Sequence, residues 1–192
     1  MVMTKIGILA LQGDFDAHGR RMAQLGAQAV EVRKMEQLGQ IDGLVIPGGE
    51  SSVFLHLLGE KGFQHLSEFV LSRPVFGTCA GCILLAREVE NPAQKGIGAL
   101  DVTVRRNAYG RQIDSTILTG PSLLGLEPLE QVYIRAPRIE RTGPTVEVLA
   151  SRDGHAVLVR QGKVLAATFH PELSEDPRVH GEFLRMVENE RH

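Results

Sequence analysis

The strongest constraint on the fold is the alternation of two hydrophobic periodicities through the first half of the chain. Short apolar runs that end at Gly or at polar residues predict buried strands at 5–13, 27–34, 41–49 and 73–78. Apolar residues at helical spacing predict helices at 14–26, 51–72 and 79–89, the second interrupted near 59–62. This alternation predicts an α/β fold of three layers, in which helices cover both faces of a largely parallel, open, flavodoxin-like sheet.

The pattern changes to β-ribbon after residue 95. Alternating apolar residues predict strands within 96–107 and 145–172, and the turn sequences 153–154 and 161–163 suit hairpins. A last helix is predicted near the carboxyl end, with Asp176 as its cap and Pro177 in its first turn. We therefore expect one sheet, in which antiparallel strands extend the parallel part.

Size and charge narrow the classes of function. A chain of 192 residues suits one sizeable core, so residues 1–192 are predicted to form a single domain. The net charge of −2 argues against bulk binding of nucleic acid or of acidic membranes. The apolar run at 6–11 is shorter than a signal-peptide core or a membrane span. We expect a cytoplasmic protein with reduced cysteines.

The sequence Gly77-Thr78-Cys79-Ala80-Gly81 marks a candidate nucleophile between a predicted strand and a predicted helix. A nucleophile on such a sharp turn sits in strained backbone, and small neighbours two residues away on either side avoid clashes. The turn places the sulfur of Cys79 at the carboxyl end of the strand, where ligands bind in α/β sheets.

The second cysteine, Cys82, is predicted to be a small core residue, because an apolar run follows it. A Cys-x-x-Cys redox pair and two inert buried thiols are the alternatives. A structural metal site needs four ligands and a second cysteine pair, which the sequence lacks.

His170 is the candidate base for this nucleophile. It stands where an apolar strand pattern ends, and Pro171 keeps it extended, so that Glu172 shares its face. Glu172 can then hold one ring nitrogen while the other faces the sulfur, which is the logic of a nucleophile, base and orienting carboxylate. The backbone N–H groups of Ala80 and of Gly48 and Gly49 are candidate oxyanion donors.

These motifs resemble the class I, triad-type glutamine amidotransferases. Within that family, four stretches resemble the glutaminase subunits of pyridoxal 5′-phosphate synthases: LALQGD at 9–14, PGGESS at 47–52, RRNAYGRQ at 105–112 and YIRAPRIE at 133–140. The resemblance runs from residue 6 to about residue 185. It implies the class I amidotransferase fold and hydrolysis of L-glutamine to L-glutamate and ammonia through a γ-glutamyl thioester on Cys79, with His170 and Glu172 completing the triad.

The resemblance also assigns substrate positions and a partner. The residues that match glutamine-holding positions are Gly49, Glu50, Ser51, Arg106, Ile134 and Arg135. Gln12 matches a position near the oxyanion region that depends on the partner. The partner implied is a (β/α)₈-barrel synthase subunit in a large ring assembly, which uses the ammonia to build pyridoxal 5′-phosphate. No cofactor and no metal are expected in this subunit.

One position departs from the family pattern. The family usually carries Glu-His after Leu-Gln-Gly, whereas this chain has Ala17-His18, which puts the detail of partner docking in doubt. Several alternatives remain: the glutaminase subunit of another amidotransferase, such as imidazole glycerol phosphate synthase; a cysteine peptidase or γ-glutamyl hydrolase; and a non-catalytic binding or redox-sensing α/β protein that uses Cys79.

Overall fold

A nine-stranded mixed sheet forms the centre of the computed structural model, which describes residues 3–108 and 115–191. The strands are β1 (Lys5–Leu9), β2 (Gln28–Val32), β3 (Gly43–Ile46), β4 (Val75–Thr78), β5 (Ala86–Glu90), β6 (Leu100–Arg105), β7 (Ser115–Ser122), β8 (Gly125–Ile134), β9 (Arg138–Thr142), β10 (Glu147–Arg152), β11 (His155–Gln161) and β12 (Val164–Ala167). The helices are α1 (Phe15–Gln24), α2 (Ser51–Ser72), α3 (Ala80–Leu85) and α4 (Arg178–Glu190), with 3₁₀ turns at Met35–Gln40 and Pro171–Leu173.

The strand order in the large sheet is β2-β1-β3-β4-β12-β11-β10-β7-β8. The strands from β2 to β12 in this order are parallel, and the pairings from β12 to β8 are antiparallel. Parallel strands with both faces covered carry apolar side chains on both sides. This explains the continuous apolar runs in β1, β3 and β4, and it confirms the predicted α/β fold.

Two apolar clusters form the core, one on each face of the large sheet. One cluster joins alternate residues of β3 and β4 to α2 and α3 and includes Leu44, Phe54 and Leu84. The other joins the opposite faces of β1, β3 and β4 to α1 and α4 and includes Phe76 and Phe183. The three-layer arrangement predicted from the sequence is therefore present. Within the described residues, the helices are too short or too polar to cross a bilayer.

Local signals explain the helix ends. The carboxylate of Asp14 accepts a hydrogen bond from the backbone N–H of Ala17 at the start of α1. The expected interruption in 51–72 lies at Gly59, whose φ of 59° and ψ of −175° break α2. The predicted cap of the last helix is displaced by one residue: Pro177, predicted for the first turn, is the N-cap of α4 and has no side-chain cap bond, and Asp176 before it accepts from the backbone N–H of Arg178 at 3.0 Å.

Two predictions about the sheets and helices were wrong. The expectation of one sheet misses a second, three-stranded sheet of order β5-β6-β9. The helix predicted at 79–89 ends at Leu85, because the chain from Ala86 onward pairs in parallel with β6. An apolar run such as 83–86 fits a buried helix or a buried strand equally well, so pairing with a distant segment decides between them.

Candidate active site

Cys79 sits on the turn between β4 and α3, as the sequence predicts. Its φ of 48° and ψ of −103° lie in a region that side-chain-bearing residues rarely adopt. The turn is held by the backbone N–H of Cys79, which donates to Ala167 O at 2.9 Å. A Cβ on Gly81 would collide with the backbone carbonyl of Ile46, which explains why glycine stands there. The nucleophile is thus positioned by backbone geometry.

His170 and Glu172 meet Cys79 at the carboxyl ends of β12 and β4. The two strands are neighbours in the sheet, and Ala167 is paired with Thr78. His170 Nδ1 lies 2.7 Å from Glu172 Oε1, and the Cys79 side chain is the second hydrogen-bonding partner of His170. Glu172 shares this side of the chain through the 3₁₀ turn Pro171–Leu173, where the sequence interpretation assumed an extended segment.

The electrostatics of the triad favour an imidazolium at His170. Burial lowers the pKa of His170, but the hydrogen bonds to Cys79 and then to Glu172, together with their charges, outweigh it and raise the pKa to about 10. The protonated imidazole of His170 beside the sulfur is placed to act as a proton donor. The arrangement can therefore attack a carbonyl carbon and supply a proton to a leaving group.

Cys82 lies on α3 with a fully buried side chain. Burial, and then the proximity of Cys79, raises the pKa of the Cys82 thiol to about 12. A thiol in this environment stays protonated and unreactive at neutral pH. This geometry fits the predicted core role and disfavours the redox pair.

A cavity of about 330 Å³ opens in front of Cys79 and His170. The six residues predicted to hold substrate all line it: Gly49, Glu50, Ser51, Arg106, Ile134 and Arg135. Ile83, Asn107 and Pro137, which the sequence interpretation did not select, complete the lining. Asn107 and Pro137 do lie in the stretches 105–112 and 133–140 that carry the family resemblance, and this was the sequence signal that could have identified them as lining residues. Residues 109–112 of the first stretch are outside the described residues.

Two residues that line the cavity, Glu50 and Arg106, form an ion pair. Arg106 Nη2 donates to Glu50 Oε1 at 2.7 Å, and the Arg106 side chain is only 12% exposed. A cation and an anion side by side at a pocket wall are complementary to the two charged groups of a free amino acid.

The candidate oxyanion residues lie on the side of the cavity next to His170. Gly48 packs directly against the His170 ring, and Gly49 lies under the side chain of Gln12. The Gln12 amide donates to Glu50 O at 2.5 Å and accepts from Glu50 N at 3.3 Å. Gln12 therefore ties the loop after β1 to the loop after β3, beside the predicted donors. Ala80 follows Cys79 at the start of α3.

His18 is the residue whose place the sequence interpretation missed. It lies on α1 with no exposed surface, and its Nε2 is 3.4 Å from Glu172 Oε2. It is buried behind the triad. Helical periodicity predicts that α1 has a buried face, but the contact with Glu172 depends on tertiary packing. Among the described residues, no group of three or more His, Cys, Asp or Glu side chains is placed to hold a metal ion.

A cysteine nucleophile on a strand-to-helix elbow, paired with His and Glu on a mixed α/β sheet, defines the class as a triad-type cysteine-dependent hydrolase or transferase. The profile of the SNO glutamine amidotransferase family matches residues 8–189, and the chain belongs to that family. It is a glutamine amidotransferase, an enzyme that hydrolyses glutamine. The family resemblance drawn from the motifs is confirmed.

Individual relatives agree with this membership. The pyridoxal 5′-phosphate synthase subunit PdxT of Koribacter versatilis (strain Ellin345) is 69% identical over 96% of both chains. The protein of the same name from Solibacter usitatus (strain Ellin6076) is 52% identical over 96% of this chain and 100% of its own length. A crystal structure of a glutamine amidotransferase, 46% identical, superposes with a TM-score of 0.88 over 95% of this chain and 98% of its own. A glutamine amidotransferase from Thermotoga maritima shares the fold. It is 14% identical, with a TM-score of 0.63 over 100% of this chain and 86% of its own.

Proposed function

We propose that this chain, acting as a single domain of residues 1–192 in the cytoplasm, hydrolyses L-glutamine through a γ-glutamyl thioester on Cys79. The ammonia passes to a pyridoxal 5′-phosphate synthase subunit. The observation that carries the proposal is the Cys79–His170–Glu172 arrangement at the base of a cavity whose wall holds the Glu50–Arg106 pair. The names of the relatives from Koribacter and Solibacter support the choice of partner.

Glutamine binds with its two ends on different groups. Its α-ammonium faces Glu50, and its α-carboxylate faces Arg106 or Arg135, each through charge-assisted hydrogen bonds. The side-chain amide then reaches past Gly49 toward Cys79, with Ser51 and Ile134 beside it. A cavity of this size belongs to the range that small-molecule substrates occupy.

The Cys79 thiolate attacks the amide carbon, and the carbonyl oxygen becomes an oxyanion. The backbone N–H of Ala80 and the amides at Gly48 and Gly49 stabilise that oxyanion, each donor contributing roughly 10²–10³ in rate. Gln12, which bridges to Glu50, adjusts this loop when the partner binds.

His170 transfers its proton to the amide nitrogen, so that the C–N bond breaks, ammonia leaves and the thioester remains. A water molecule then attacks the thioester carbon and gives a proton to His170, and the thiolate leaves. Glutamate is released with the enzyme back in its starting state. Glu172 holds the His170 ring throughout and stabilises its charge.

The proposed partner is a (β/α)₈-barrel synthase subunit in a ring assembly, to which this chain docks as the glutaminase. A separate metal or organic cofactor has no part in the steps above, since a thiolate and an imidazolium supply the nucleophile and the acid. The synthase of another amidotransferase, such as imidazole glycerol phosphate synthase, is the second candidate partner. A redox-sensing role is less well supported, because Cys82 is buried with a raised pKa.

The test is a glutaminase assay with and without purified synthase subunits. We expect weak hydrolysis by the chain alone, stronger hydrolysis with the pyridoxal 5′-phosphate synthase subunit, and none in Cys79→Ala. Cys82→Ala is the matched control and keeps most of the activity. Full activity of Cys79→Ala, or stimulation only by an unrelated synthase, would contradict the proposal. Equal loss in the two cysteine variants would favour the dithiol alternative.

A further inference from the structure

Three buried polar side chains lie behind the carboxylate of the triad: His18 on α1, Thr78 on β4 and His180 on α4, each with no exposed surface. His18 Nδ1 is 2.8 Å from His180 Nε2, and His18 Nε2 is 3.2 Å from Thr78 Oγ1. His18 Nε2 is also 3.4 Å from Glu172 Oε2. The contact with Thr78 meets hydrogen-bond geometry and the contact with Glu172 does not. Glu172 Oε2 is thus a buried oxygen without a hydrogen-bond partner among the described residues.

The surroundings decide which nitrogen of His18 carries the proton. Burial, and then the nearby His180 and His170, holds the pKa of His18 well below its usual range, so the ring is neutral with one N–H. His18 Nε2 faces two oxygens, Thr78 Oγ1 within hydrogen-bond geometry and Glu172 Oε2 at 3.4 Å, and both can accept from an N–H at that position. A proton on Nε2 therefore serves both oxygens, and Nδ1 of His18 then accepts from His180 Nε2.

The same logic extends to His180. Its Nε2 must donate to His18, which leaves its Nδ1 without a proton and, within the described part of the chain, without a partner. Burial and then the charge of Arg21 lower the pKa of His180 to about 3, which agrees with a neutral ring. The order of donors then runs from His180 to His18 and from His18 to Thr78, with Glu172 Oε2 3.4 Å from the same Nε2, and His170 approaches the other oxygen of Glu172. Each neutral ring has one donor and one acceptor, and His18 uses both, toward Thr78 and His180.

We infer that His18 is a positioning residue: the Nε2–H that bonds to Thr78 also lies 3.4 Å from the second oxygen of Glu172 and attracts that oxygen, so that the first oxygen stays on Nδ1 of His170. Glu172 must stay in one orientation if it is to hold the His170 ring. Glu172 sits on a turn of three residues with its side chain fully buried, and only one of its two oxygens has a hydrogen-bond partner among the described residues. A buried carboxylate oxygen without a donor is also costly. The inference rests on the proposed function only in giving His170 the role of base and acid.

Two amide substitutions test this, because they imitate different nitrogens of imidazole. In His18→Gln the side-chain NH₂ reaches the place of Nε2, next to Glu172. In His18→Asn it reaches only the place of Nδ1, next to His180. We expect His18→Gln to keep kcat within about threefold of the parent. We expect His18→Asn to lose about 10–100-fold, the effect typical of removing an outer partner of a functional side chain. KM should change less than kcat in both, since His18 does not line the cavity.

A second readout separates positioning from packing. The pKa of His170, measured by NMR titration, should fall by about one unit in His18→Asn and stay near the parent value in His18→Gln. The reason is that the hydrogen bond from His170 to Glu172 is among the interactions that raise this pKa. The groups facing His170 are Cys79 and Glu172, with His18 nearby. Equal losses in the two variants, with an unmoved His170 titration, would overturn the inference.

The parent protein supplies a test that does not depend on any variant folding. The ¹⁵N shifts of the His18 ring should show the proton on Nε2, and a proton on Nδ1 would overturn the inference directly. Failure here is distinct from failure of the proposed function. An active Cys79→Ala variant would contradict the hydrolytic mechanism, whereas an inactive Cys79→Ala beside a fully active His18→Asn would contradict the role of His18 alone.

Discussion

The substitution Gly48→Ala tests how tightly the position of the His170 ring controls hydrolysis. Gly48 follows β3 and faces this ring: an added Cβ would lie 2.5 Å from Cε1 and 3.2 Å from Nδ1 of His170. Ordinary van der Waals contact begins near 3.4 Å. The ring must therefore retreat by about 0.9 Å, the difference between the required and the available distance.

His170 has little freedom to retreat. Its backbone N–H donates to Val132 O at 2.7 Å, and its Nδ1 is 2.7 Å from Glu172. Any movement therefore lengthens the contacts with Glu172 or with Cys79. A misplacement of about 1 Å in a reacting group costs on the order of 100-fold in rate. We expect kcat/KM for glutamine hydrolysis to fall by about 100-fold in Gly48→Ala.

The assay is steady-state glutaminase activity with the synthase subunit present, and thermal unfolding reports on stability. Gly19→Ala on α1 is the matched control, because its added Cβ meets nothing closer than the Ala29 Cβ at 3.9 Å. This control should keep full activity and gain about 0.5–1 kcal/mol from helix propensity. A Gly48→Ala enzyme within threefold of the parent would refute the claim that the ring position is critical.

Three further results are expected. Gly81→Ala should lower the free energy of unfolding by about 1–3 kcal/mol in chemical denaturation, because its Cβ would collide with the carbonyl of Ile46. Cys82→Ala should be alkylated by iodoacetamide at the parent rate, at Cys79. The reason is that the Cys82 thiol of the parent protein is buried, with its pKa raised to about 12, and so does not react. His180, with its pKa lowered to about 3, binds a proton more readily in the unfolded chain, so stability should fall as the pH drops below about 6.5. His180 alone should contribute about 2 kcal/mol to the loss of stability at pH 5, and His180→Gln, which cannot take up that proton, should lack this part of the loss.

The parts of the fold that sequence predicts well are those set by local signals. The parallel strands are marked by continuous apolar runs, and the break in α2 by Gly59. The elbow at Cys79 follows from glycines two residues away on either side: the close contacts of Gly77 are with Gly81 and Leu85 in the same segment, although Gly81 also packs against Ile46 of β3. The hairpin at Asp153 is likewise local, since turn residues determine its geometry.

The parts that sequence could not predict depend on partners far along the chain. The strand β5 follows α3 without a loop, and only pairing with β6 makes Ala86 the start of a strand. The proximity of Glu172 and His170 was predicted, but through an extended segment where the chain forms a 3₁₀ turn. His18 showed no chemical signal at all, because its contact with Glu172 exists only once α1 has packed on the sheet.

The register between β4 and β12 explains how residues so far apart form one site. Ala167 is paired with Thr78, so the chain leaves both strands at the same edge, one residue before Cys79 and three residues before His170. The hydrogen bond from Cys79 N to Ala167 O extends this pairing into the elbow itself. A slip of one residue would move His170 by about 3.3 Å and turn β12 side chains to the opposite face. Val164 and Ala166 pack in one core cluster and Leu165 and Ala167 in the other, so a slip would exchange side chains of different size between two close-packed faces. The packing of the core therefore also determines the geometry of the triad.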